Sequence, residues 1–477
     1  MRIFEFLEGI VCDKEKFGDL EIENISFSSK EKGKNLMYFC LKGTNFDGHD
    51  FANEAVLNGA VCVVCEKKLD VPVPQILVTN ARKALAKVSA NFFGNPGQKL
   101  KLVAVTGTNG KTSTTYIVKS VLEKNGKKCG LIGTNGAFIG EKKIAENLTT
   151  PDPFFLHKYL KQMLEENCEY VIMEASAHAI FWNKLYGLKF ECVALTNLTQ
   201  DHLDFFGNME NYAFVKQSFF NETNSKNFVV NLDDSLGKNI AKMGLKNLKT
   251  YGKNNLADFS FLPLELAANL TTFRIKNCDE KFEMNLIGKF NLYNAVCAIA
   301  ILKSVGLTFA EIAFGLKQRL FIPGRFNVFE NKKKQNHIII DYAHTPDGLE
   351  KALISAKEVC KGKLICVFGC GGNRDKSKRK IMGEIASCLA DFCIITSDNP
   401  RWENPGEIIK EVISGISNKT AFEMEENRKK AIKKAISKSR KGDVVLIAGK
   451  GAENYQEIAG EKKYFSDIDL VLDILNR

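Results

Sequence analysis

Residues 104–114 read Ala-Val-Thr-Gly-Thr-Asn-Gly-Lys-Thr-Ser-Thr, an order of residue types suited to holding a phosphate. The glycines let the backbone turn tightly enough for its N–H groups to face an anion, and a helix starting at the loop adds the positive end of its dipole. Lys111 contributes a cation, and Thr112 a hydroxyl able to ligate magnesium. Val105 stands where the first glycine of the general G-x-x-x-x-G-K-[ST] pattern would be, so this is a tighter variant. Glu174 ends an apolar run in Met-Glu-Ala-Ser-Ala-His, and His202 follows another in Thr-Asn-Leu-Thr-Gln-Asp-His-Leu-Asp. A carboxylate and an imidazole at the ends of neighbouring parallel strands can hold a divalent cation beside nucleotide phosphates.

These groups need elements to position them. The loop follows a β-prone run at 101–105 and precedes a helix-compatible run at 116–123. Further strand-like runs at 170–173, 192–196 and 228–231 alternate with helical patterns at 154–166 and 211–220, the signature of a mostly parallel sheet covered by helices. Upstream, short strand-like runs at 22–27, 37–41, 61–65 and 76–78 surround a helix at 50–58, and a second helix begins at Ala81. After the break at Ile322-Pro-Gly324 the alternation restarts, with strands expected at 337–340, 364–368, 392–396 and 444–448. The expected architecture is α/β in three domains: a small N-terminal α/β domain (1–84), a central P-loop-type domain with a mostly parallel sheet (85–322), and a C-terminal Rossmann-like doubly wound domain (323–477). The chain of 477 residues is too long for one core.

Composition is that of a soluble globular protein, 45% hydrophobic and 26% charged. Glu5 and Glu8 interrupt the first apolar stretch, unlike a signal peptide, and the longest uncharged apolar stretch, 290–302, falls short of a membrane span. A cytoplasmic location without membrane insertion is expected. Fourteen cysteines are scattered, several inside apolar runs (Cys62, Cys65, Cys366, Cys393), with no Cys/His zinc spacing; they read as reduced core residues. The net charge of +11 fits small anionic substrates better than nucleic acid, because the lysine runs at 332–334 and 376–380 lack interleaved aromatics.

The loop resembles that of the Mur ligase and folylpolyglutamate synthetase superfamily, ATP-dependent enzymes that make amide bonds through acyl phosphates. The resemblance to the Mur ligases extends over all three domains. It is carried by the Glu174 and His202 motifs, Tyr212 with Lys216, Asn231-Leu-Asp-Asp234, Gly288-Lys-Phe-Asn-Leu-Tyr-Asn294, Pro323-Gly-Arg325, Asp341-Tyr-Ala-His-Thr-Pro-Asp347 and Gly369-Cys-Gly-Gly-Asn-Arg-Asp375. Within the family it is most similar to members that add a diamino acid, as third residue, to UDP-N-acetylmuramoyl-L-alanyl-D-glutamate.

Position by position, the resemblance implies that ATP is held by Gly107, Thr108, Asn109, Gly110, Lys111, Thr112 and Ser113, with Asn291 and Asn294 at the adenine, Arg325 and Asp341 at the ribose and His344 near the phosphates. Magnesium would be held by Thr112, Glu174, His202 and a carbamylated Lys216; Lys111, Glu174, His202 and Lys216 form the implied catalytic set. Ser29, Thr149, Thr150, Ser176 and Lys184 match positions that bind the UDP-muramoyl dipeptide. Ser28-Ser29-Lys30 replaces Asp-Ser-Arg, Leu148 an asparagine, and Trp182 and Lys184 a glutamine and an arginine. The motif Asp398-Asn399-Pro400-Arg401, with Arg374, Gly449 and Glu453, matches the site for meso-diaminopimelate, whose far amino–carboxylate pair an arginine fork can read. Ala452 stands where a histidine is usual. The implied enzyme is a monomer acting on small molecules, an ATP-dependent ligase adding meso-diaminopimelate through an acyl phosphate. Three alternatives stay open from the residues: a sister ligase adding lysine or a terminal dipeptide, a folylpolyglutamate synthetase-like ligase, and a P-loop ATPase that works as a switch.

Overall fold

The computed structural model describes residues 2–10, 20–146, 148–266, 270–416 and 420–476. Residues 11 and 12, which end the N-terminal stretch weighed above as a leader, lie outside the described residues. The chain forms two compact units, one of residues 1–104, 126–193 and 218–227, the other of residues 105–125, 194–217 and 228–477.

In the first unit, strands Asn24–Ser26, Leu36–Phe39, Ala60–Cys65 and Gln75–Leu77 pair in that order as a parallel sheet. Alternation along the strands builds two cores. Met37, Phe39, Cys62 and Val64 face one, and Leu36, Tyr38, Val63 and Cys65 face the other, with Ala52 and Ala55 of helix Ala52–Leu57. The helix Ala81–Phe92, expected to open the second domain, turns Ala84, Leu85 and Val88 into the first of these cores. That apolar face runs at i, i+1 and i+4. Cys62 and Cys65 form a Cys-x-x-Cys spacing on one strand, yet they belong to opposite cores, so their thiols cannot meet. Burial pushes the Cys62 thiol up to about 12 and that of Cys65 to about 11. The unit also contains strand Cys129–Gly133, parallel to Tyr170–Glu174 and antiparallel to Gly136–Ile139, which in turn pairs antiparallel with Lys142–Ala145. Helix Pro153–Glu165 buries its apolar face.

The second unit opens with the phosphate loop and helix Lys111–Lys124. Strand Ser225–Asn231, which enters the unit at Phe228, pairs parallel with Leu248–Gly252, and that strand with Phe259–Leu266; Thr271–Ile275 and Lys281–Met284 then add antiparallel. This meander is absent from the sequence-based expectation. Its strand Phe259–Leu266 contains Pro263, and the register shifts between Pro263 and Glu265, a position where the missing proline N–H does no harm. Helix Lys289–Ser304 is buried continuously from Ala295 to Leu302, so the longest apolar stretch is a core helix. Among the described residues no helix is long and apolar enough to cross a membrane.

The rest of the unit is a six-stranded sheet in the order Asn327–Asn331, Asn336–Asp341, Val444–Ala448, Leu364–Phe368, Phe392–Ile395, Ala421–Met424, parallel except for the first pair. Ile339, Cys366, Cys393 and Leu446 face helices Pro346–Val359, Ser377–Leu389 and Pro405–Ile413. Ile338, Ile365, Ile394 and Val445 face helices Arg428–Lys438 and Asp467–Asn476. Helices on both faces leave the loops at the carboxyl ends of the strands to do chemistry.

His157, on helix Pro153–Glu165, is buried with neither ring nitrogen hydrogen-bonded. Burial, with Lys87 nearby, pulls its pKa from 6.5 down to about 4. The folded state therefore favours the neutral ring, and the unfolded chain takes up a proton first as pH falls. Stability is intact above the unfolded value of about 6.5 and is lost on going down toward 4. The loss attributable to this group at pH 5 is about 2 kcal/mol. His157→Leu is expected to show a smaller fall in urea midpoint between pH 7 and pH 5 than the wild type; equal falls would refute this.

Candidate functional site

The phosphate loop is shaped by contacts that leave no room for side chains. Gly107 has φ +143°, and a Cβ built on it would lie 1.8 Å from Thr196 Oγ1; at Gly110, φ +86°, a Cβ would meet Asn294 Oδ1 at 2.3 Å. Residues 196–199 lash the loop down. Thr196 Oγ1 donates to the Asn109 carbonyl at 2.6 Å, the Thr108 N–H to the Asn197 carbonyl at 2.9 Å, and Thr108 Oγ1 to the Thr199 carbonyl at 3.1 Å. Lys111 Nζ folds over the loop onto the carbonyls of Gly107 and Thr108, both at 2.9 Å. Lys216, buried on helix Met209–Gln217, donates to the same Gly107 carbonyl at 2.9 Å and lies 4.7 Å from the Tyr212 ring. Burial, then repulsion from Lys111, holds its amine well below the usual lysine range.

The C-terminal sheet reaches this loop within the same unit. Arg325 Nη2 donates to Thr112 Oγ1 at 2.8 Å, Asn109 Nδ2 to Asp347 Oδ2 at 2.7 Å, and Gln200 Nε2 to Ser377 Oγ at 3.0 Å. His202 takes a left-handed backbone, φ 56°, and its Nε2 is 3.2 Å from Asp201 Oδ2; His344 Nε2 lies 4.0 Å from the same oxygen. Burial opposes ionisation of Asp201, but His202, His344 and Lys378 outweigh it and hold the carboxyl low. Asn294 Nδ2 donates to Asn291 Oδ1 at 3.2 Å, which links both residues to the loop through Gly110. Asp341 accepts from the N–H groups of Phe326 and Ala343 at 2.7 and 2.8 Å. Burial lifts its carboxyl to about 6 against the pull of Arg325. Ser113 is buried on the first turn of the loop's helix.

Glu174 belongs to the first unit and is almost wholly buried. Its carboxylate accepts from Thr134 N–H at 2.9 Å and Thr134 Oγ1 at 3.0 Å, and it occupies the space a Cβ on Gly133 would fill, 2.3 Å away. Thr134 Oγ1 is 3.2 Å from Thr149 Oγ1, and Thr150 Oγ1 donates to the Glu174 carbonyl at 2.8 Å while accepting from Ser176 N–H at 3.1 Å. Glu174, Thr149, Thr150 and Ser176 thus form one polar cluster. Lys184 pairs with Asp152 at 2.8 Å, and the neighbouring Trp182 ring carries the Arg82 guanidinium 3.9 Å from its centroid. The Ser29 carbonyl accepts from Asn58 Nδ2 at 2.7 Å.

A third cluster sits at the carboxyl ends of strands in the six-stranded sheet. Asn399 Nδ2 donates to Glu453 Oε2 at 2.9 Å, and the wholly buried Lys450 Nζ donates to Asn399 Oδ1 at 2.9 Å and Glu453 Oε2 at 3.1 Å, 4.0 Å from Asp398. Gly449, φ +117°, lets Asp398 approach: a Cβ there would be 2.5 Å from its Oδ2. Pro400 passes its carbonyl so close that a Cβ on Gly372 would meet it at 1.9 Å. A Cβ on Gly371 would stand 3.0 Å from Arg401 Nη1 and 3.9 Å from Arg374 Cγ, so the stem of Arg374 passes the same glycine as the guanidinium of Arg401. Asp201, Asp347, Lys450 and the Thr196–Thr199 lashing escaped the sequence reading. Asp201 and Asp347 lie inside quoted motifs and Lys450 directly follows Gly449, so all three were legible as charged neighbours; the lashing depends on two distant segments meeting and left no local signal.

Profiles of the Mur ligase family match three stretches: the catalytic-domain profile residues 21–93, the middle domain residues 105–302 and the glutamate ligase domain residues 324–451. The UDP-N-acetylmuramoyl-L-alanyl-D-glutamate–2,6-diaminopimelate ligase 1 of Clostridium acetobutylicum is 43% identical over 470 residues, covering 96% of each chain. The corresponding ligase of Aquifex aeolicus is 43% identical over 454 residues, covering 95% of this chain and 94% of its own. A solved structure of a ligase of the same name aligns with TM-score 0.67 at 29% identity, covering 98% of this chain and 99% of its own. A folylpolyglutamate synthase of Mycobacterium tuberculosis shares the fold at 15% identity, with TM-score 0.64 over 77% of this chain and 92% of its own.

Gly107→Ala places a methyl group into Thr196 at a left-handed backbone position and is expected to destabilise the protein by about 3 kcal/mol. Denaturant unfolding checks this, and an unchanged midpoint would contradict the packing described.

Proposed function

The chain belongs to the Mur ligase family, and from that premise we propose that it is the ATP-dependent, ADP-forming ligase joining meso-2,6-diaminopimelate to the D-glutamate γ-carboxyl of UDP-N-acetylmuramoyl-L-alanyl-D-glutamate, a step of peptidoglycan precursor synthesis. The observation that carries the reading is the third cluster, where Asp398, Asn399 and Glu453 are gathered around Lys450 and Arg401 is held by the Glu457 side chain and the Gly372 carbonyl. Paired cationic and anionic groups are what a second amino–carboxylate pair requires and what lysine, lacking the far carboxylate, would leave unmatched. We assign the uridine side of the substrate to residues 1–84, with Ser29, and to Thr149, Thr150, Ser176 and Lys184; ATP to residues 85–322, with Arg325, Asp341 and His344; and the amino acid to residues 323–477. The enzyme would act as a cytoplasmic monomer.

The γ-carboxylate oxygen attacks the γ-phosphorus of ATP, the bond to ADP breaks, and an acyl phosphate forms. The amine of diaminopimelate then attacks the acyl carbon, the amide forms, and phosphate leaves with one oxygen from the original carboxylate. Loop N–H groups and Lys111 hold the phosphates while charge moves. Asn291 and Asn294 border the adenine, and Asp398, Asn399 and Glu453 orient the far end of the amino acid so that its amine meets the acyl carbon.

In the second unit the Thr112 hydroxyl and the His202 imidazole are donors that suit magnesium. When bound, the ion neutralises charge on the transferring phosphoryl group. Among the described residues no three His, Cys, Asp or Glu side chains converge as a metal cluster, so a further oxygen donor is wanted. Lys216 can become one, because an uncharged amine adds carbon dioxide, releases a proton and turns into a carbamate.

Phosphate release with ATP and the UDP-dipeptide is expected to require diaminopimelate, with lysine and D-alanyl-D-alanine inert, and Arg401→Ala is expected to lower kcat/KM for diaminopimelate about 100-fold. Release without an amino acid, or equal use of lysine, would defeat the reading. Lys216→Arg, a cation that cannot form a carbamate, is expected to lower kcat by about 100-fold or more. Wild-type enzyme stripped of carbon dioxide should lose activity and regain it with bicarbonate; indifference to bicarbonate would remove the carbamate from the mechanism.

A further inference from the structure

We infer that Glu457 is the positioning residue that fixes Arg401 for reading the far carboxylate of the amino acid; this deepens the function proposed above and rests on it. Arg401 is held in an unusual state. Its backbone is left-handed, φ 53°, a conformation that costs a non-glycine residue about 1 kcal/mol or more and persists only where the surroundings enforce it. The enforcement comes from the hairpin Tyr455–Ile458/Glu461–Tyr464. The Arg401 N–H donates to the Glu457 carbonyl at 3.0 Å, and the Ala459 N–H donates to the Arg401 carbonyl at 2.7 Å. The same hairpin pins the residues before Arg401: Gln456 Nε2 donates to the Asp398 carbonyl at 2.6 Å, and the Glu457 N–H to Asn399 Oδ1 at 3.0 Å.

The side chain is held as firmly. Arg401 Nε lies 3.2 Å from Glu457 Oε2, and Nη1 donates to the Gly372 carbonyl at 2.8 Å. One residue, Glu457, therefore grips both the backbone and the guanidinium of Arg401. With the Glu457 carboxylate ion-paired beside Nε and Nη1 held by the Gly372 carbonyl, the side of the fork at Nε is occupied and Nη2 is left to meet a ligand carboxylate. The orientation of a planar five-donor group decides whether it reads a carboxylate through two parallel bonds or one. Glu457 also offsets the charge of Arg401, so its role is to orient the guanidinium rather than to add attraction. With side-chain exposures of 19% for Arg401 and 23% for Glu457, the pair is shielded enough to be directional, while neither partner belongs to a core whose loss would unfold the sheet.

The test compares wild type, Glu457→Ala and Glu457→Gln by steady-state phosphate release, varying diaminopimelate, ATP and the UDP-dipeptide in turn. Wild type is measured first; failure to use diaminopimelate at all would sink the function proposed above and not this inference alone. Glu457→Ala is expected to raise KM for diaminopimelate about 10-fold, with kcat and the other two KM values within about twofold, because ground-state positioning of one substrate is lost. Glu457→Gln, which keeps the length of the side chain and an oxygen acceptor beside Nε, is expected to restore KM to within about threefold of wild type. Urea unfolding of each variant shows whether the fold is kept. An unchanged KM for diaminopimelate in Glu457→Ala, an equal rise in all three KM values, or no rescue by glutamine would overturn the assignment.

Discussion

One carbonyl oxygen governs the glycine-rich loop at 107–110. Gly107 O accepts from both Lys111 and Lys216, each at 2.9 Å. Two ammonium groups on one oxygen, one of them wholly desolvated, repel each other strongly in a medium of low dielectric. Relief comes through Lys216, whose burial and proximity to Lys111 both favour the uncharged amine. The shared oxygen exists because Gly107 has no side chain and can lie against Thr196, and because Thr196 in turn holds the Asn109 carbonyl. Loop shape, lysine protonation and the chemistry open to Lys216 thus follow from a single close approach of two backbone segments.

Charge is managed differently at the amino-acid cluster. Lys450 is fully enclosed, and Glu453 and Asp398 stand as its counter-ions. Arg428 is enclosed as well, paired with Asp467 at 2.6 Å and donating to the Ala448 carbonyl at 3.0 Å, just before Gly449. Buried ion pairs of this kind add little net stability, since desolvation offsets most of the attraction, yet removal of one partner is severe. Their value here is geometric. Arg428 fixes the end of strand Val444–Ala448, Lys450 fixes Asn399 and Glu453, and the residues that face a ligand inherit positions they could not hold alone.

The strands and helices around the site were largely legible in the sequence, because alternating runs such as 364–368 and 444–448 end in glycine-rich motifs that a doubly wound sheet uses for binding. The phosphate loop was legible for a stronger reason: few structural roles call for lysine and threonine directly after its last glycine. What escaped has a common character. The meander 248–284 carries Pro263 and a register shift that blur its period. The allegiance of helix Ala81–Phe92 depends on which core receives Leu85 and Val88. Asp201 and Glu457 matter through partners more than fifty residues away, His344 and Arg401. Local pattern reports an element and its face; it carries little about which distant side chain will be met there.

The nucleotide loop and the amino-acid cluster are joined by a short run of contacts within one unit. Thr112 Oγ1 accepts from Arg325, the Arg325 guanidinium lies 4.4 Å from the centroid of the Tyr342 ring, and the Tyr342 hydroxyl donates to Glu453 Oε1 at 3.1 Å. Glu453 then meets Asn399 and Lys450 through its other oxygen. Every member is buried or half-buried, so the run is shielded from solvent competition. Tyr342 is the residue that makes it continuous, since its ring serves one neighbour and its hydroxyl another, and burial raises the hydroxyl's pKa well above the usual tyrosine range so that it stays a donor. In the proposed reaction phosphoryl transfer to a carboxylate oxygen and amine attack on the carbon of the same carboxyl group follow in succession. On the site assignment proposed above, this path would keep the two reacting ends in register without requiring either site to sense the other.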